Sequence, residues 1–278
     1  MRLLLALLLI ALVALLVLWW TREQFLLPQL ERRLIRAAEE RGLTVSLEDT
    51  SLELDSLRIE GLRVSSEAEA ELAALALLDA PSVRVDGRLW RLPFDGIAAL
   101  ETIDLEVDTL QFRESAATNE SASSSESRAF SFGDLPNVSL RGNRILWERK
   151  SGAVLQAKTL TSTLRPGNDE AKFELQLQLD AGQVRAIGEL TADRARVAVN
   201  LAALPLRDLA VLWNGEDSLA GLATAELEVE LPFEDPLAFT VAPGPLEVTS
   251  LDAYGFQTES LQAQAAWSSG TLELEGLE

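Results

Sequence analysis

Cysteine and histidine are both absent from this chain of 278 residues. Without cysteine there is no disulfide, no thiolate nucleophile and no thiolate metal ligand. Without histidine, serine–histidine and cysteine–histidine catalysis is excluded, together with most transition-metal sites. Carboxylate pairs remain available, but among 44 acidic residues adjacent carboxylates occur by chance. We therefore expect a protein that is not an enzyme and that carries no metal and no cofactor.

Basic residues are scarce, at 24 against 44 acidic residues, which gives a formal net charge of -20. Nucleic-acid phosphates are bound by clustered lysine and arginine, so this balance argues against nucleic acid as a partner. It also disfavours broad electrostatic adhesion to anionic headgroups. Hydrophobic residues make up 47% of the chain, which is ordinary for a globular protein and argues against wholesale disorder.

A long hydrophobic run, Leu3–Trp20, contains 18 consecutive apolar residues. As a helix it would be about 27 Å long, close to the roughly 30 Å hydrocarbon core of a bilayer. A cleaved secretory signal is the alternative, but its apolar region is usually shorter and ends in a small-x-small site. The two terminal tryptophans suit a membrane interface instead. We predict an uncleaved signal-anchor over residues 1–22, with the body sent across the membrane. Its membrane-contacting residues include Leu3, Leu9, Leu15, Trp19 and Trp20.

The segment after the anchor has helical spacing. Beyond Pro28, leucine and alanine recur every three or four residues opposite a charged face, and Gly42 is a suitable C-terminal stop. We predict that residues 23–42 form a short amphipathic helix that caps one end of the domain that follows.

From Leu43 the apolar spacing changes from 3.6 to 2 residues, which predicts β-strands. In Glu101–Phe112, three aliphatic residues alternate with three acidic ones. In residues 44–64 the phase of the alternation slips between successive apolar pairs, so we expect short strands separated by turns or bulges. Further strands are predicted at Pro81–Gly87, Val138–Trp147, Val154–Leu164, Lys172–Leu179, Val184–Leu190, Arg196–Leu201, Ala223–Leu231, Leu261–Trp267 and Thr271–Leu274.

The segments between these strands indicate how they connect. Residues 88–100 and 204–213 have the pattern of irregular or short helical connections, and the polar tract Ser115–Ser127 predicts a flexible loop. Turn signals between the later strands predict an antiparallel meander. The chain stops within or just after an alternating strand, so we expect the domain over residues 43–278 to continue beyond it.

The apolar faces of these strands must be covered, because burying one aliphatic side chain is worth about 1.5–3 kcal/mol. Helices are too few for some ten strands. Two solutions stay open: a second sheet, which makes a closed β-sandwich, or a curled sheet whose apolar inner face is an open groove. An open groove of this kind, on a membrane-anchored protein, suits acyl chains.

The order of these elements resembles bacterial AsmA-like proteins, especially their YdbH- and TamB-type branches. The resemblance lies in the anchor "LLLALLLIALVALLVLWW", the helix "LPQLERRLIRAAEERG", the strands "VSLEDTSLELDSLRIEGLRV" and "ETIDLEVDTLQF", and the later repeat "VAVNLAALPLRDLAVLWNGEDSLAGLATAELEVELP". It implies a mainly β fold, in which a long, curled antiparallel sheet with one or two short helices forms a taco-like groove.

The resemblance also implies a function. Relatives of this type are anchored in the bacterial inner membrane by a single N-terminal span, with the body in the periplasm, and they move phospholipids toward the outer membrane. The implied partners are phospholipid acyl chains, the inner membrane, and outer-membrane or periplasmic envelope proteins. The implied groove lining is Leu52, Leu54, Ile59, Ile103, Leu105, Val107, Phe173, Leu175, Leu177, Leu179, Val197, Val199, Leu227, Val229 and Leu231. An anchored assembly factor that binds outer-membrane proteins through its sheet edges is the competing interpretation.

Overall fold

A computed structural model of the chain describes residues 42–53, 55–66, 75–91, 95–113, 132–149, 154–208, 219–233, 238–253, 256–268 and 271–277, with Gly152 and isolated positions between 32 and 40. Within these residues, no helix has the length and apolar character needed to cross a membrane. The predicted anchor at Leu3–Trp20 and the predicted loop at Ser115–Ser127 lie outside them.

The described part of the chain consists mainly of β-strands, as the alternation predicts. Their bounds are β1 Leu43–Ser46, β2 Asp49–Leu52, β3 Ser56–Ser66, β4 Leu75–Gly87, β5 Leu100–Val107, β6 Thr109–Arg113, β7 Asn137–Gly142, β8 Ile145–Glu148, β9 Val154–Pro166, β10 Ala171–Leu179, β11 Gln183–Leu190, β12 Arg194–Pro205, β13 Leu219–Pro232, β14 Thr240–Ala253, β15 Phe256–Ser268 and β16 Thr271–Glu275.

Helical structure is limited to short pieces in the described residues. Single 3-10 turns at Leu89–Arg91 and Gly96–Ala99 occupy the connection for which the sequence predicts an irregular or short helical path, and another lies at Phe132–Asp134. Leu206–Asp208 begin the second predicted helical connection. The described residues before β1 are helical, and Gly42 follows them with φ 72°, consistent with its predicted role as a helix stop.

All sixteen strands belong to one long, curled sheet. Its order is β1-β3-β4-β5-β7-β9-β10-β11-β12-β13-β14-β15-β16, with β2 beside β3, β6 beside β4, and β8 beside both β6 and β9. The described strands therefore belong to one continuous hydrogen-bonded sheet and not to two separate sheets.

Two strand pairs depart from the predicted antiparallel meander. β5 pairs with β7 in parallel, and β6 pairs with β8 in parallel. A parallel pair needs a crossover of about a dozen residues or more, because the chain must return to the end of the sheet at which it started. The 23 residues between Arg113 and Asn137 supply that length. The polar tract at 115–127 is part of this crossover, a role that its composition alone does not indicate.

The sequence does not predict β14. Pro243, Gly244 and Pro245 interrupt its alternation, and such residues normally mark the end of a strand. The strand accommodates them at an irregularity, since its register with β15 shifts between Val241 and Gly244. Both prolines are exposed, and Gly244 is buried.

The sheet has an apolar face and a polar outer face. On the outer face, Lys172, Glu189, Arg196 and Glu230 lie opposite one another in register on β10 to β13 and alternate in charge. Lys172 Nζ lies 3.5 Å from Glu189 Oε1, and Arg196 Nε lies 3.6 Å from Glu230 Oε2. The pKa of Glu230 is lowered, chiefly because Arg194 donates a hydrogen bond to it at 2.7 Å. Charged cross-strand pairs of this kind make the outer face hydrophilic, so it is stable in contact with solvent.

On the strands from β1 to β9, the alternation of apolar and outer faces slips by one residue at aligned positions. We call this line of slips the crease. On β9, the apolar face carries Ala157 and Leu160, and the two residues between them, Lys158 and Thr159, are both exposed. A pair of consecutive residues interrupts the alternation in the same way on six adjacent strand positions. These pairs are Glu48–Asp49, Glu60–Gly61, Pro81–Ser82, Asp108–Thr109, Asn143–Arg144 and Lys158–Thr159.

Register aligns these pairs across the sheet. Gly142 pairs with Leu160 and Ile145 pairs with Ala157, so Asn143–Arg144 lie beside Lys158–Thr159. The first three pairs are aligned in the same way, and a step of about two residues between β4 and the strand formed by β5 and β6 separates the two groups. The slip that the sequence shows over residues 44–64 is therefore one end of a feature that runs across several strands.

Candidate functional site

The apolar face forms rows that run along the length of the sheet, perpendicular to the strands. In one row each residue pairs in register with the next: Leu57, Val85, Ile103, Val138, Leu164, Phe173, Gly188, Val197, Val229, Val241 and Trp267. Strands lie about 4.8 Å apart, so the ten steps of this row span roughly 48 Å. A second row, from Ile59 through Leu105 and Leu175 to Leu227, runs beside it and is apolar except for Ser162 on β9.

The candidate groove residues named from the sequence fall on this one face, with the exception of Leu54, which lies outside the described residues. Four of them are buried: Leu52 at 8%, Ile59 at 6%, Val107 at 1% and Leu179 at 2% exposure. The other described candidates are half-buried: Ile103, Leu105, Phe173, Leu175, Leu177, Val197, Val199, Leu227, Val229 and Leu231. The sequence pattern thus identifies the face, but it does not separate its buried members from its half-buried ones.

Burial is uneven along the face. The most buried large side chains of β3 to β9 include Ile59, Val83, Val107, Leu110 and Ile145, each less than a tenth exposed, and Leu179 on β10 and Leu204 on β12 belong to the same core. Along β10 to β13, most large apolar side chains keep part of their surface accessible. The half-buried side chains of β10 to β13 are the candidate site, because buried core side chains cannot contact a ligand without rearrangement.

Small residues occupy several positions of the apolar face, both within the candidate site and on β15. Ala195, Ala223, Ala225, Ala263 and Ala265 are all buried on this face, among larger half-buried neighbours. Strand periodicity does not single them out, since alanine is common on either face of a strand. Because alanine side chains are short, the apolar face is recessed at these positions, between the rows of leucine and valine.

Aromatic residues at the distal end were also not identified from the sequence. The rings of Phe239 and Trp267 stack, with centroids 5.6 Å apart and planes at 4°. Trp267 pairs in register with Val241, so both rings lie on the apolar face. The signal that could have found Trp267 is its place at the end of the predicted strand Leu261–Trp267.

The chemistry of the candidate site is uniform. Every residue that β10 to β13 place on this face is apolar, from Ala171 to Leu231, and the charged side chains of these strands point to the outer face. Nothing there can donate a proton, act as a nucleophile or ligate a metal. Such a surface recognises hydrocarbon by excluding water, without direction or group specificity.

Comparison with known proteins identifies the family. A family model described as YdbH-like, intermembrane phospholipid transport protein YdbH, matches residues 9–276. No curated protein matched the chain. The family match covers nearly all of the sequence, and it agrees with a single long sheet whose one face is apolar. The chain belongs to the YdbH-like family of intermembrane phospholipid transport proteins.

Proposed function

We propose that this protein is a membrane-anchored, bridge-like lipid transfer protein of the bacterial envelope. Leu3–Trp20 holds it in the inner membrane, the sheet extends into the periplasm, and phospholipids pass along the apolar face with their acyl chains against the strands. The candidate lining residues, with those half-buried on β10 to β13 foremost, are the lipid-contacting surface.

The observation that carries this proposal is the continuity of the apolar rows. A pocket for one ligand would be closed at both ends, whereas each row joins strand to strand along the sheet. Each methylene exposed to water costs about 0.8 kcal/mol, so ten exposed methylenes would cost roughly 8 kcal/mol. The apolar surface of β10 to β13 removes most of that cost at each step along these strands. In lipid passage the polar outer face plays no part beyond keeping the bridge in water.

A groove that is open along one side suits a phospholipid better than it suits a wholly apolar ligand. A phospholipid has a charged headgroup that must stay hydrated, because moving an isolated charge into an apolar environment is far more costly than the burial of its chains is favourable. A groove with one apolar wall holds the chains and leaves the headgroup in water. The apolar face of β10 to β13, with no charged side chain, makes no demand on headgroup identity.

Photo-crosslinking from neighbouring residues of β13 tests the proposal. A benzoylphenylalanine replaces Val229 on the apolar face or Glu228 on the outer face of the full chain. The chain is expressed in bacteria whose phospholipids are radiolabelled, and the cells are irradiated. We expect lipid adducts from position 229 and none from position 228. Equal labelling from both positions, or protein adducts alone from position 229, contradicts the proposal. Protein adducts with outer-membrane barrels would instead favour an assembly role.

A further inference from the structure

Positive charge is confined to the first 207 residues of the chain. All 24 lysines and arginines lie at or before Arg207, whereas 14 of the 44 acidic residues lie in residues 208–278. The last 71 residues therefore carry a formal charge of -14, and the residues before them carry -6. The outer face alternates in charge on β10 to β12, but on β13 to β16 every charged side chain is acidic.

Most carboxylates of these last strands have no cation beside them. Glu230 is an exception, because two arginines of β12 reach it at 2.7 and 3.6 Å. Glu228, Glu247 and Glu273 are exposed, and none of them forms an ion pair with a described residue. Unbalanced charge of one sign destabilises a folded protein by self-repulsion. Neutral polar residues, such as Gln262 on β15, hydrate the same face without that cost.

The outer face also contains a depression with an apolar floor. Its volume is about 770 Å³, and it lies across β10 to β16. Ile187 pairs in register with Ala198, and Glu228 lies between Ala198 and Ala242, so a carboxylate stands in the middle of this floor. Glu273 borders the floor on β16. The apolar outer-face residues that line the depression are Ile187, Ala198, Ala242, Pro243 and Ala266.

A ligand that covers this surface must supply both hydrocarbon and positive charge. We propose that the depression is a docking surface for a partner protein, which inserts a segment of basic and apolar residues. Lysine and arginine suit it, because their aliphatic stems pack on apolar side chains while their charged ends pair with Glu228 and Glu273. A second copy of this chain does not fit, since both its acidic last part and the rest of it carry net negative charge. A small cation would leave the apolar floor uncovered. This inference goes beyond lipid transfer, because it concerns the face opposite to the proposed lipid path.

Photo-crosslinking in intact bacteria tests the docking surface. A benzoylphenylalanine replaces Ala242 in the depression or, as the matched control, Gln176 on the outer face of β10, and both positions are exposed. Gln176 does not line the depression. We expect protein adducts from position 242 and none from position 176. Mass spectrometry should locate the crosslink in a partner segment that combines lysine or arginine with apolar residues.

Two double variants then test the role of charge. Glu228→Gln with Glu273→Gln removes two carboxylates from the depression, and the control, Asp104→Asn with Glu106→Gln, removes two exposed carboxylates from β5. The loss of two ion pairs near the surface should lower the adduct yield from position 242 about 2- to 30-fold. The control should leave the yield unchanged, although it changes the net charge equally.

Four results overturn the docking surface. They are no protein adduct from position 242, adducts that join two copies of this chain, a crosslinked segment without lysine or arginine, and equal yields from the two double variants. Lipid adducts from position 229, measured in separate cells, report on lipid passage. Either proposal can therefore fail while the other stands.

Discussion

An acidic side chain on the apolar face should block lipid passage, while the same side chain one residue away should not. Val199 lies near the middle of β12, half-buried, in register with Ala186 on one side and Leu227 on the other. Asn200 follows it on the outer face and is exposed, opposite Arg185. Val199→Asp and Asn200→Asp therefore add the same charge to the same strand, on opposite faces.

Val199→Asp should slow lipid transfer strongly but reduce the stability of the fold only slightly. Full burial of a side chain of this size is worth about 1.5 kcal/mol, so losing the half-buried Val199 should cost roughly 1 kcal/mol of folding free energy. A carboxylate that faces hydrocarbon costs about 2–3 kcal/mol. Applied to the barrier for lipid passage, this corresponds to about a 30- to 150-fold slower rate. Asn200→Asp loses the hydrogen bond that Asn200 donates to Glu226 Oε1 at 3.3 Å and places two carboxylates in register, which should cost about 0.2–1 kcal/mol of folding free energy. It should leave the rate of lipid passage unchanged, since its charge stays in water on the outer face.

The assay follows transfer of a fluorescent phospholipid between donor and acceptor vesicles, with thermal unfolding of each variant measured in parallel. Val199→Asp should fold and transfer slowly, and Asn200→Asp should transfer lipid at the rate of the parent. Two results refute the reasoning. Equal transfer by both variants would mean that lipid does not use this face. Loss of folding in Val199→Asp alone would mean that the face is a closed core, where an unpaired buried charge costs about 3–5 kcal/mol.

Three further substitutions test the backbone and the outer face. Ala203 on β12 has φ 49°. Ala203→Gly relieves the left-handed strain and should raise the free energy of unfolding by about 0.5–1 kcal/mol in a denaturant titration. The control Ala202→Gly should lower it by a similar amount. Equal effects of the two substitutions would contradict strain at Ala203. Gly188→Ala places a Cβ 2.5 Å from a backbone oxygen and 2.6 Å from the Phe173 ring. It should therefore destabilise the fold by about 1–3 kcal/mol in thermal unfolding. Adding Phe173→Leu should restore only part of the lost stability, because the contact with the backbone oxygen remains. Glu230→Gln should destabilise the fold at pH 7. Because the pKa of Glu230 in the folded protein is depressed below its ordinary 4.5, the difference in stability from the parent should disappear as the pH falls through that folded value. A difference in stability that stays constant with pH would contradict a contribution from the ion pairs of Glu230.

The sequence predicts the strands and the face of each residue because both depend on local alternation. Phe173, Leu175 and Leu177 on β10 share a face in any sheet, whatever their neighbours are. The pairing partners are a different matter. Nothing in the composition of residues 114–136 indicates that they return the chain so that β7 runs parallel to β5. β14 was missed for a third reason, since its prolines contradict the local rule and are tolerated where the register shifts.

The degree of burial at each position of the apolar face is also beyond the sequence. Val107 on β5 and Val199 on β12 are both valines on the apolar face of a strand, yet Val107 is 1% exposed and Val199 is half-buried. The difference depends on how the sheet curls and on what lies above each residue, which are long-range properties. The phase slips could be seen in the sequence over residues 44–64, but only the register shows that they form one line.

The large negative charge has a physical role in a protein of this design. A sheet that leaves apolar side chains accessible along several strands would associate with other apolar surfaces, including its own copies. The acidic excess limits this, because two chains that each carry a net charge of -20 repel one another before their apolar faces meet. The charge that argues against nucleic acid as a partner is thus what allows an accessible apolar face to persist in water. Restricting carboxylates to the outer face of β10 to β13 achieves this without a polar side chain on the proposed lipid path.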